Sequence, residues 1–519
     1  MLLPRFLPRQ DFSSYNDFLA NYRINVPENF NFGFDVVDAW AEIEPEKKAL
    51  VWCDDNGDER TFTFRDMALL SDQAAGWFSA KGLVKGDKVL LILRRRWEYW
   101  VAAIALHKLG VTVVPGSTQL TAKDIEYRVE AAGIKLVLDV AGLKSFDFWN
   151  YLAIKPKRQT RNDDLMLMYF TSGTTGMPKM VMHDFTHPLG HIVTAKYWQK
   201  VLVNGLHMSV ADSGWAKFGW GKFYGQWICG APVFAYDMNK FSASALLQKM
   251  QDYRLATFCA PPTMYRYMLL EDLESYNLSS ITHCCNAGEP LNPEVYRQFY
   301  ERTGLRLTEG FGQSESSVLI ANFQWFPPRP GSMGKPSPLY GISLLAEDGR
   351  ECAPGEEGEI VIRGLGARSG LFTGYYNDEE YTAAAFRDGM YHTGDVAWRD
   401  DDGYYWFVGR NDDVIKCSGY RIGPFEVESA LMEHPAVVEC AVTGAPDPVR
   451  GQVVKASVVI RGGYTADGEL VKELQEHVKS VTAPYKYPRV IEFVPELPKT
   501  SSGKIMRGKI RAGSSAPDA

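Results

Sequence analysis

Residues 171–179 read TSGTTGMPK, a run of small, hydroxyl-bearing residues and glycines that ends in a lysine. That composition suits a phosphate chain. Gly173 and Gly176 permit positive φ, so the backbone can close round an anion and turn N–H groups toward it. Thr171, Ser172, Thr174 and Thr175 add hydroxyl donors, and Lys179 adds a positive charge. The Walker A pattern does not fit: it needs four residues between its glycines and Lys-Ser/Thr directly after, whereas two separate Gly173 from Gly176 and Met177-Pro178 precede the lysine. A solvated Gly/Ser/Thr turn is the competing reading. Apolar β-formers on both sides, Leu165–Phe170 and Met180–Met182, predict a loop between two strands.

Further motifs follow in order: AGEP at Ala287–Pro290, EGFGQSE at Glu309–Glu315, YHTGD at Tyr391–Asp395, GRNDDVIKCSGYRIGPFEVE at Gly409–Glu428 and PKTSSGKIMR at Pro498–Arg507. With the phosphate run they resemble the acyl- and aryl-CoA synthetases of the adenylate-forming superfamily, which also holds luciferases and peptide-synthetase adenylation domains. The resemblance covers nearly the whole chain and is closest to the medium-chain acyl-CoA synthetase branch.

The resemblance implies an acid-thiol ligase that uses ATP, Mg2+ and coenzyme A. A carboxylate attacks the α-phosphate to give acyl-AMP and pyrophosphate, and the CoA thiol then displaces AMP. Attack of one anion on another calls for charge neutralisation above all. By resemblance, Thr171–Gly176 with Lys179 hold the phosphates and Glu315 carries Mg2+, a hard cation that takes carboxylate and phosphate oxygens. Ser314 stands where the family usually has threonine, and keeps the hydroxyl. Asp395 is the expected ribose acceptor, with Arg410 beside it; Gly288, Glu289, Pro290, Glu309, Gly310, Phe311 and Gly312 are expected around the adenine, and Gln313 elsewhere in the ATP site. Lys504 is the expected catalytic lysine, bridging the substrate carboxylate and the α-phosphate, while Lys499 reads as a solvated surface charge. Asp412 matches a hinge about which the C-terminal domain alternates between half-reactions. Rotation there would bring Ser418, Gly419 and Tyr420 to the pantetheine arm and Arg421 to the nucleotide; Arg450, Lys479 and Tyr487 are candidates for the CoA nucleotide end.

Acetyl and propionyl synthetases fill the acyl pocket with a tryptophan where this chain has Gly312, so the pocket is expected to be open. Its lining is expected to draw on Trp215, Gly219, Trp220, Gly225, Gly288 and Gly312. A medium-chain or branched aliphatic acid is the first expectation and an aryl acid the second. Delivery of the acyl group to a carrier protein or another acceptor shares every ATP motif and stays open, as does an inactive acyl- or nucleotide-binding protein. Pyrophosphate release separates the last from the others.

At 519 residues the chain is too long for one core. Apolar runs alternate with amphipathic stretches over the first four hundred or so residues, predicting layered α/β structure with a β subdomain. Strands are predicted at Lys88–Leu93, Val111–Val114, Lys135–Val140, Ala231–Tyr236, Thr257–Ala260 and Gly358–Arg363, and helices at Trp97–Leu109 and Ala243–Tyr253. Beyond Arg410 the pattern changes to a small mobile α+β domain, with helices at Glu426–Met432 and Gly468–Val481 and strands at Val437–Val442, Val453–Ile460 and Arg489–Val494. The expected division is 1–411 and 412–519, and Gly513–Ala519 reads as a disordered tail. A net charge of -7 without a basic run argues against nucleic acid as a partner. Eight cysteines without CxxC pairing predict buried, reduced thiols. No run is apolar for long enough to span a membrane, and MLLPRFLPRQDF is too short and too proline-broken for a secretory signal. A cytoplasmic monomer or homodimer is therefore expected.

Overall fold

The computed structural model describes residues 1–171, 178–364, 369–417, 420–448, 450–499 and 505–513. The α/β expectation holds: three sheets carry the chain. In the first, strands 136–139, 88–92, 112–115 and 165–171 run parallel, and then turn antiparallel through 179–184 to 374–375. The second has thirteen strands. Its parallel core places 307–311, 283–287, 257–260, 207–209, 233–237 and 48–54 side by side. An antiparallel run, including 332–336, 358–363, 391–399 and 405–410, forms the β subdomain at one end. A small third sheet, 415–417, 420–422, 437–447, 451–460 and 490–493, belongs to the C-terminal domain with its own apolar core of Ile422, Val427, Leu431, Val442 and Leu474.

Strands predicted from β-branched runs appear within a residue or two of their expected ends. Lys88–Ile92 is buried on both faces, as its continuous apolar run requires in a parallel sheet. Helix Glu98–Leu109 stops at Gly110 in the left-handed region, φ 72°, a glycine C-cap. Helix Gly468–Val481 begins where the Asp467 side chain accepts from the N–H groups of Glu469 and Leu470. The main extension is Val437–Asp447, which runs five residues past the apolar stretch because it pairs along its length with Gly451–Ile460. Gly513 ends a last helix, Arg507–Gly513, so it is not part of a disordered tail; residues 514–519 lie outside those described. All eight cysteines are free and buried. No helix among the described residues is long and apolar enough to cross a membrane.

Candidate nucleotide and acyl site

The strands Leu165–Thr171 and Lys179–Asp184 pair antiparallel, with Thr171 opposite Lys179 at the mouth of the phosphate run. Ser172, Gly173, Thr174, Thr175 and Gly176 lie outside the described residues. The Lys179 ammonium sits 3.4 Å from the centroid of the Tyr381 ring. Tyr375 joins the two halves of the site: its hydroxyl donates to Glu315 Oε1 at 3.0 Å, and its ring lies 5.7 Å from the same ammonium. Burial raises the Glu315 carboxyl above its ordinary range.

Gln313 is the hub between the GQSE turn and the β subdomain. Its amide nitrogen donates to Asp395 Oδ2 at 2.5 Å and to the Thr393 carbonyl at 2.8 Å, and its amide oxygen accepts from Tyr391 at 2.6 Å. Arg410 stands 3.7 Å from Asp395 and 3.6 Å from Asp412, and donates to the Thr393 carbonyl at 3.0 Å. Strand register brings this about, because Asp395 lies opposite Arg410. Residues expected at the ribose and at the hinge thus form one cluster. Tyr375 carries no motif signal, and Tyr391 opens YHTGD without an expected role, since each matters only through a partner far away in sequence.

Around the expected adenine wall the roles divide. Gly288 takes φ 102°, and Glu289 accepts from Thr263 at 2.7 Å. Glu309 is buried and accepts from the Leu291 N–H at 3.2 Å, bracing the turn that holds Pro290; burial pushes its carboxyl up to about 8. At Gly310 a side chain would overlap the Trp198 indole. Phe311 packs near Phe407, ring centroids 6.0 Å apart.

The acyl side departs further from expectation. Helix Ala216–Lys222, with Trp215 as its N-cap, lies beside the carboxyl ends of strands 283–287 and 307–311, where open α/β sheets bind ligands. Three residues apart on this helix, Lys217 and Trp220 share a face. Trp220 covers Gly312, so the space that glycine was expected to open is already filled by an indole. Lys217 covers Gly288 and donates to the Ala287 carbonyl; burial lowers its ammonium below the ordinary lysine value. Gly219 faces Tyr169 and Tyr224. At Gly225 a side chain would overlap the His191 carbonyl, so this glycine lets two helices pack closely.

Lys504 and its neighbours from Thr500 lie outside the described residues. Both stems are pinned: Lys499 bridges to Ile505, and the Met506 N–H donates to the Pro498 carbonyl at 2.8 Å. Lys499 is not merely solvated, since it pairs with Glu439 at 2.7 Å. Arg507 donates twice to Glu428, each at 2.7 Å, and Arg511 pairs with Asp413 beside Asp412. Ser418 and Gly419 lie outside the described residues. Tyr420 stacks on Tyr485 at 4.2 Å, and Arg421 pairs with Glu347 and lies 3.8 Å from Glu357, both of the β subdomain. Lys479 lies 4.3 Å over the Tyr487 ring; Arg450 caps a separate turn through its N–H to Asp447, 2.8 Å.

Comparison with known proteins settles the family. The model of the AMP-binding enzymes matches residues 37–376, and that of their C-terminal domain matches 426–504. The chain belongs to the AMP-binding enzymes. It is 41% identical to the mitochondrial acyl-coenzyme A synthetase ACSM3 of Mus musculus over 97% of this chain and 93% of the relative. To the mitochondrial ACSM4 of Homo sapiens it is 42% identical, over 95% and 93%. Among solved structures, the anthranilate CoA ligase AuaEII in complex with anthranoyl-AMP superposes with a TM-score of 0.86 at 28% identity, covering 94% of this chain and 98% of that one. A benzoate CoA ligase from Burkholderia xenovorans LB400 gives 0.82 at 27%, covering 93% and 100%. This AMP-binding enzyme is an AMP-forming acyl-CoA synthetase, converting a carboxylic acid to acyl-CoA through acyl-AMP. The cytoplasmic expectation is corrected, because the ACSM3, ACSM4 and ACSM5 relatives are mitochondrial enzymes.

Proposed function

We propose that this synthetase, by analogy with its relatives in the mitochondrion, activates a compact aliphatic acid, medium-chain or branched, ahead of an aryl acid. The observation that carries the reading is the Lys217–Trp220 face, which occupies the ground that Gly288 and Gly312 leave free. In the first half-reaction the carboxylate oxygen bonds to the α-phosphorus while the bond to pyrophosphate breaks. Lys504 neutralises the two approaching anions, and Lys179 with the glycine-rich run holds the departing phosphates. Asp395 takes the ribose hydroxyls, held by Gln313 and flanked by Arg410.

Among the described residues no group of three or more acidic, histidine or cysteine side chains could cage a metal. Glu315 fits Mg2+ nonetheless, because that ion takes one or two carboxylates and completes its shell with phosphate oxygens and water. When bound, the ion would neutralise phosphate charge as pyrophosphate leaves. In the second half-reaction the CoA sulfur bonds to the acyl carbon and AMP leaves. We assign the change of state to rotation about Asp412 at the 411/412 boundary, freeing Arg421 from Glu347 and Glu357.

Pyrophosphate release with Mg·ATP tests the reading across straight, branched and aryl acids, with and without CoA. Acid-dependent release that CoA raises to steady turnover, best with compact aliphatic acids, supports it. Release that stays stoichiometric with CoA would move the acceptor elsewhere.

A further inference from the structure

His183 lies on the strand that leaves the phosphate run, four residues after Lys179, and is fully buried. Its Nε2 is 2.7 Å from the carbonyl oxygen of Ser314, in the middle of the GQSE turn. A carbonyl only accepts, so Nε2 carries the proton; Nδ1 is buried without a hydrogen-bond partner among the described residues. The His187 ring packs behind it, centroids 3.9 Å apart, and one hydrogen bond joins His187 and His191 through Nε2 atoms 3.1 Å apart. Burial keeps all three rings neutral, holding His183 near 4 and His191 near 3. A phenylalanine would fill this place as well, so packing alone does not call for histidine. A buried N–H donor does.

The bond joins two sheets. On one side is the strand beginning at Lys179; on the other, Ser314 separates Gln313, which holds Asp395, from Glu315, which accepts from Tyr375. The strand carries the phosphate end about 13 Å from His183 at roughly 3.3 Å per residue. We infer that His183 is a positioning residue that sets the GQSE turn in register with the phosphate strand, so that Gln313 and Glu315 meet the same bound nucleotide. The inference rests on the nucleotide role proposed for that turn.

The test uses the full chain as wild type, H183F and H183Q. H183F keeps the ring and removes the donor, leaving the Ser314 carbonyl unsatisfied; H183Q keeps an amide N–H. The expected result is a KM for Mg·ATP raised about tenfold in H183F, the KM for the acid unchanged, and H183Q within about threefold of wild type. An unchanged KM for Mg·ATP in H183F, or equal rises for ATP, acid and CoA, overturns the inference. If H183F does not fold, histidine-labelled wild type still decides: the His183 Nε2 proton is expected to shift on adding Mg2+ with a non-hydrolysable ATP analogue, and no shift overturns the inference. E315Q separates the two levels. If E315Q leaves the KM for Mg·ATP unchanged, the role of the turn fails; if E315Q raises it and H183F does not, only the role of His183 fails.

Discussion

Replacing Gly312 by alanine places a methyl group where the structure has no room for one. The new Cβ would lie 2.7 Å from the Ser317 carbonyl oxygen and 2.9 Å from Trp220 Cζ2, and would overlap the far edge of the same indole. Ordinary contact begins near 3.4 Å and the indole Cη2 would lie far inside that distance from the new methyl, so the ring edge must move by more than an ångström. Trp220 is nearly buried and packs edge-on to Trp198, centroids 6.4 Å apart, so it has little freedom to yield. Gly312 does not adopt positive φ, so alanine adds no backbone strain, and its lower unfolded-state entropy returns roughly 0.4–1 kcal/mol. A shift this large puts the overpacking near the upper end of about 1–3 kcal/mol, leaving a net loss of about 2 kcal/mol. If the indole turns into the acyl crevice, kcat/KM for hexanoate falls about tenfold or more, with the KM for Mg·ATP little changed.

The partner substitution makes the argument testable. W220L removes the ring that the methyl strikes, so W220L/G312A is expected to recover at least about 1 kcal/mol relative to additivity. The assay is kcat/KM for butanoate, hexanoate and octanoate by pyrophosphate release, with thermal melts of all four proteins. A G312A enzyme with unchanged melting and unchanged kcat/KM would show that Trp220 does not confine the space beside Gly312. Additive losses in the double variant would show that the two residues do not compete for it.

Lys217→Ala is expected to shift preference toward longer acids, raising the octanoate-to-butanoate ratio of kcat/KM about tenfold; an unchanged ratio in an active variant refutes the assignment. Asp395→Asn should raise the KM for ATP about ten- to a hundredfold, because a charged acceptor becomes neutral; nucleotide titration of the variant checks it. Glu309→Gln addresses stability: with the folded carboxyl near 8 and the unfolded one near 4.5, the native state binds more protons between those values, so wild-type stability falls as pH rises. E309Q should therefore melt progressively higher than wild type from pH 5 to pH 8, and parallel melting curves would contradict the assignment. Lys504→Ala should abolish adenylate formation yet spare thioester formation from preformed acyl-AMP; equal loss of both refutes the bridging role.

The residues expected at the nucleotide could be named from the chain by type, whereas the neighbours that crowd the expected acyl pocket could not, for a physical reason. Holding a triphosphate and a ribose would demand particular chemistry, so TSGTTG, Asp395 and Arg410 stand out as candidates by type, and strand register sets Asp395 opposite Arg410. A glycine reports only that its own side chain is missing. Four glycines read as pocket-openers or adenine neighbours meet four different neighbours: Gly312 an indole, Gly288 a lysine, Gly310 Trp198 and Gly225 a helix carbonyl. Each neighbour comes from a distant part of the chain, which no local pattern could supply. Lys499 failed for the same reason, its partner Glu439 lying on another strand. His183, His187 and His191 did leave a trace, three histidines four residues apart in an apolar stretch, but only the Ser314 carbonyl turns that spacing into a role. On the proposed acyl-site reading, substrate choice in this synthetase rests largely on one short helix. Ala216–Lys222 supplies both side chains that close on Gly288 and Gly312, so changes at Lys217 and Trp220 should alter the acid accepted while leaving Gln313, Asp395 and Arg410, and with them the nucleotide site, undisturbed.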